Sequence, residues 1–81
     1  MATKDISDLQ VLRAYELRAA MRKAGEQVGD VDVVLAQMTG QPEKVCFRAM
    51  ERAERRGLLE YGTCLAWAWI TPSGAALLGE A

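Results

Sequence analysis

The chain has 81 residues, a formal net charge of -1, no histidine, two cysteines and about half its residues apolar. That length fits one domain over residues 1–81 around one hydrophobic core, and the composition is too apolar and too charge-balanced for a disordered tail. The longest apolar run, 64–70, is far short of the roughly 18 residues of a membrane span. Residues 1–5 lack the apolar stretch of a signal peptide, so a cytoplasmic location is expected.

The first periodic segment predicts a helix over about 7–24. Ser7 followed by Gln10 reads as a capping box, in which each side chain satisfies a backbone N–H of the other. Leu9, Leu12, Tyr15 (or Glu16) and Ala19 follow at helical spacing, and Arg22 and Lys23 suit the negative end of the helix dipole before Gly25. Residues 25–32 form a loop in which Val31 would make a one- or two-residue strand. Asp32 then caps a second helix over about 33–39 with Val34, Leu35 and Met38 on one face. Gly40 supplies the left-handed stop. Pro42 opens a third helix, over 42–56, at a position where a missing N–H costs nothing. Two helices about three residues apart, with a glycine between them, carry a helix-turn-helix signature.

The third helix sorts its side chains into three arcs at roughly 100° per residue. Val45, Cys46, Ala49, Met50 and Ala53 make the apolar arc, Lys44, Arg48, Arg52 and Arg55 a cationic one, and Glu43, Glu51 and Glu54 an acidic one that also holds Phe47. Cys46 in the apolar arc is a small core residue. Cys64 is expected near an exposed tip, with nothing beside it in sequence to activate the thiol.

After Gly57 the period changes. Segments 58–61 and 65–70 read as the strands of a hairpin over 58–70 with Gly62-Thr63-Cys64 at its tip. Thr71 as N-cap and Pro72 at the first helical position open a last helix over about 72–79. With Ile70 facing the core, Trp67 and Trp69 point to the opposite face. There they are either folded over a helix as core or form a paired aromatic surface for a second copy or a partner.

The stretch Glu54-Arg55-Arg56-Gly57-Leu58-Leu59, followed by Ile70-Thr71-Pro72-Ser73-Gly74-Ala75-Ala76-Leu77-Leu78, resembles the end of the recognition helix and the post-wing segment of winged helix-turn-helix regulators of the MarR and PadR type. The resemblance spans roughly residues 31–78. It implies a mainly α fold with a small β-hairpin, a third helix entering a DNA major groove, and a hairpin reaching the backbone or minor groove.

Double-stranded DNA is accordingly the expected partner of a bacterial or phage transcriptional regulator acting as a dimer. Gln41, Lys44, Phe47 and Arg48 would approach base edges, while Arg52 and Arg55 hold phosphates and Thr63 touches the backbone from the wing. Arg13, Arg18, Arg22 and Lys23 on the first helix are candidates to extend the positive surface. The alternative is the same fold acting as a protein-interaction adaptor through Trp67 and Trp69. The pI near 5.3 and the uncharged tip favour that second reading. Without histidine, two cysteines lacking CxxC spacing cannot complete a four-ligand zinc site. No glycine-rich phosphate loop or nucleophile–base pair is present either. No metal, no cofactor and no enzymatic activity are therefore expected.

Overall fold

The computed structural model describes residues 6–80, which form a mainly helical structure with a small two-stranded antiparallel sheet. The order is α1 (Asp8–Lys23), α2 (Val31–Thr39), α3 (Glu43–Arg55), β1 (Leu59–Glu60), a single 3₁₀ turn (Leu65–Trp67), β2 (Trp69–Ile70) and α4 (Pro72–Glu80). Ile6, Leu12, Leu35, Met50 and Leu59 belong to one continuous core in which α1, α2 and α3 meet. No helix among the described residues is long and apolar enough to cross a membrane.

Local chemistry sets most of the boundaries. At the start of α1, the Gln10 N–H donates to Ser7 Oγ at 3.1 Å and the Ser7 N–H donates to Gln10 Oε1 at 2.9 Å, closing the capping box. Gly40, with φ +76°, ends α2 in the left-handed region. Gly57, with φ +79°, does the same after α3, and the Leu58 N–H reaches back to the Ala53 carbonyl at 3.1 Å. Thr71 caps α4 by accepting from the Gly74 N–H at 3.1 Å, and its hydroxyl donates to the Gly57 carbonyl at 2.7 Å.

Several sequence expectations change. The buried face of α1 is Val11, Leu12, Ala14 and Tyr15, with Leu9 only half-buried and Ala19 exposed. Val31 is the first residue of α2 and is buried, so it forms no strand, and Asp30 rather than Asp32 is the N-cap. The Asp30 carboxylate lies 3.9 Å from Arg18 and makes no capping bond, while Asp32 Oδ1 accepts from the Val33 N–H. Pro42 sits one position earlier than expected, as the extended residue before α3, and Met38, one turn beyond Val34 on the same side of α2, is exposed where Val34 and Leu35 are buried.

The hairpin also differs. Only Leu59↔Ile70 and Glu60↔Trp69 pair, and the run 65–70 is interrupted by the 3₁₀ turn. Leu65 is buried, and its carbonyl accepts from the Tyr15 hydroxyl at 2.7 Å and from the Ala68 N–H at 3.1 Å. Seating Leu65 this way breaks the alternation that a continuous strand would need. Burial, reinforced by the Asp32 carboxylate, pushes the Tyr15 phenol well above its ordinary pKa, so the hydroxyl stays a donor through neutral and mildly alkaline pH. Tyr15→Phe is expected to cost about 1 kcal/mol in urea unfolding. The low value follows because Leu65 keeps its second donor; an unchanged midpoint would show the bond contributes nothing.

Candidate nucleic-acid interface

Helix α3 begins three residues after α2 and buries Cys46, Ala49, Met50 and Ala53. That fixes which of its sides faces outward. Lys44, Phe47, Arg48, Glu51 and Arg55 are all exposed. Lys44, Arg48 and Arg55 make no ion pair with another described residue, so their charges are free to meet a polyanion. Lys44, Phe47 and Arg48 line a shallow depression of about 410 Å³ with Asp32, Glu43 and Glu51. The surface is therefore mixed in sign, with two cations and one aromatic ring set among three carboxylates.

Arg52 does not belong to this free set. Its Nε donates to Asp8 Oδ1 at 3.1 Å and its Nη2 donates to the Ile6 carbonyl, while Arg56 Nη1 bonds the other Asp8 oxygen. Asp8 thus clasps the C-terminal half of α3 to the start of α1. The physical reason is position: Arg52 borders the apolar arc, where a long side chain lies along the neighbouring helix instead of projecting outward. The guanidinium expected to hold a phosphate is thus engaged in bonds that tie α3 to α1.

Gln41 is half-buried, with its N–H donating to Thr39 Oγ1 at 3.2 Å. Thr63 is exposed in the 61–64 connection, on a different element from α3. Trp67 and Trp69 are 62% and 52% exposed, so neither is folded in as core. The Trp69 indole N–H donates to Glu60 Oε1 at 3.3 Å across the sheet, and its ring borders a trench against α1. Glu51, on the acidic arc in the sequence, borders the cations of this surface. The signal for its true place was its spacing, three residues after Arg48 and four before Arg55, which puts it beside both on the helix surface.

Both cysteines are free thiols. Burial raises the pKa of Cys46, which keeps it protonated and inert, and Cys64 is half-buried. No cluster of three or more potential metal ligands occurs among the described residues. No family model, no curated protein and no solved structure matches the chain.

Proposed function

We propose that the protein is a winged helix-turn-helix module that binds double-stranded DNA as a transcriptional regulator of bacterial or phage type, with α3 in the major groove. One observation carries the reading: Lys44, Arg48 and Arg55 stand exposed and unpaired among the described residues, on the outer side of the helix that follows the three-residue turn. Arg48 offers bidentate donors to a guanine edge, Phe47 an apolar contact for a thymine methyl, and Lys44 and Arg55 phosphate contacts. Arg52 serves by holding α3 against α1. The connection carrying Thr63 is the wing. Two copies would add the contacts of two half-sites, which suits a chain whose net charge of -1 gives one copy little non-specific affinity.

A salt titration on duplex DNA tests this directly. Two or three phosphates neutralised per protomer give a log–log slope of roughly -2 to -3 per copy bound. Absence of binding at low salt would reject the reading. The exposure of Trp67 and Trp69 favours a second one, a protein-interaction adaptor with the same fold. A protein that ignores DNA but self-associates, and becomes a folded monomer in the Trp67→Ala/Trp69→Ala variant, would support the adaptor.

A further inference from the structure

A trench of about 630 Å³ runs between the C-terminal half of α1 and the outer side of β2. We propose that it receives an extended peptide segment of a partner protein, apolar in its middle and acidic at one end. Its floor is Tyr15, Ala19, Val31, Ala68 and Ile70, and no residue of β1 lines it, so it lies on the unpaired edge of the sheet.

The hydrogen-bond pattern says what that edge offers. The Thr71 N–H donates to the Leu58 carbonyl at 3.1 Å. With Leu59 opposite Ile70 and Glu60 opposite Trp69, antiparallel alternation makes Glu60 and Trp69 the mutually bonded pair and turns the N–H and C=O of Ile70 to the other side. Neither group of Ile70 bonds a described residue. A strand donor and acceptor therefore stand open beside an apolar trough, the arrangement into which an added strand fits.

Length and charge select the occupant. From Tyr15 to Lys23 the wall of α1 rises about 12 Å at ~1.5 Å per residue, the span of roughly four residues of extended chain. That suits a short segment better than a broad surface. At one end Arg22 and Lys23 are exposed and unpaired among the described residues, while Arg18 is already held by the Gly29 carbonyl and lies near Asp30. Glu16 occupies the wall further toward the start of α1. The apolar trench therefore runs from a carboxylate toward one end to two cations at the other, and asks for an acidic group beside Arg22 and Lys23.

The proposal stands independently of DNA binding and is tested with three capped hexapeptides. One has four valines followed by two glutamates, one has four valines followed by two lysines, and the third is the glutamate peptide with alternate amides N-methylated. The glutamate peptide is expected to shift the NMR resonances of the Ile70 amide and the Trp69 indole. N-methylation and the lysine peptide should each weaken that binding. The exposed-site variant Arg22→Gln/Lys23→Gln, with its fold checked by circular dichroism, should weaken it roughly fivefold. No shift at Ile70 with millimolar glutamate peptide, or equal binding of the lysine peptide, overturns the proposal. Concentration-dependent self-association that protects the Ile70 amide also overturns it, because a second copy would then fill the trench.

Discussion

Replacing Gly74 by alanine is expected to destabilise the fold by about 3 kcal/mol, although the same change inside a helix ordinarily gains about 1 kcal/mol. The reversal comes from packing. A Cβ on Gly74 would lie 2.4 Å from the Leu58 carbonyl oxygen and 2.8 Å from Ile70 Cγ2. The first neighbour is backbone and cannot rotate away, so α4 would have to lift off the base of the hairpin. In a domain of this size that corresponds to a fall in Tm of roughly 12–24 °C. Gly79, also in α4, has nothing within 4 Å of an added Cβ. Gly79→Ala should leave Tm unchanged or slightly raised, which separates the close contact from any general effect of glycine removal. A wild-type Tm in Gly74→Ala would mean that α4 does not approach this closely in solution.

Arg48→Ala and Arg52→Ala should fail in opposite ways although the residues are one turn apart on α3. Arg48 is exposed and has no ion-pair partner among the described residues, so its loss should change stability by no more than about 0.5 kcal/mol. Duplex binding should weaken by roughly 1–3 kcal/mol, and discrimination at one base pair should relax, if the guanidinium reads a base edge. Arg52→Ala removes the bonds to Asp8 and to the Ile6 carbonyl. Charged hydrogen bonds contribute about 1.5–3 kcal/mol, but the Arg52 side chain is 28% exposed, and solvent screening brings the expected loss to about 1–2 kcal/mol. Paired denaturation and binding curves decide the matter. Equal loss of affinity without loss of stability in both variants would return Arg52 to the contact surface.

The features legible in the sequence are those decided by neighbouring residues. Ser7 with Gln10, Gly40, Gly57 and Thr71-Pro72 each act within a few positions, so their boundaries hold to a residue or so. The outward side of α3 was legible because its apolar arc is continuous. The pairing of Arg52 with Asp8 spans 44 residues, and no local pattern reports it. The same holds for Leu65, whose inward turn depends on a tyrosine 50 positions earlier. In α1, Leu9, Leu17 and Ala19 compete with Val11 and Ala14 for the core. Only the packing of α2, α3 and α4 decides between them.

Between Gly57 and Thr71 the chain makes a ribbon tied at its root. The Thr71 hydroxyl reaches the Gly57 carbonyl, its amide reaches the Leu58 carbonyl, and beyond them only two residues of each strand pair. Past that point the ribbon is fixed to the body at Leu65, whose side chain is buried in the core and whose carbonyl accepts from the Tyr15 hydroxyl. Residues 61–64 are thus slung between the paired strands on one side and the seated Leu65 on the other, and losing the hydroxyl alone would leave the buried side chain still holding that loop to the helices.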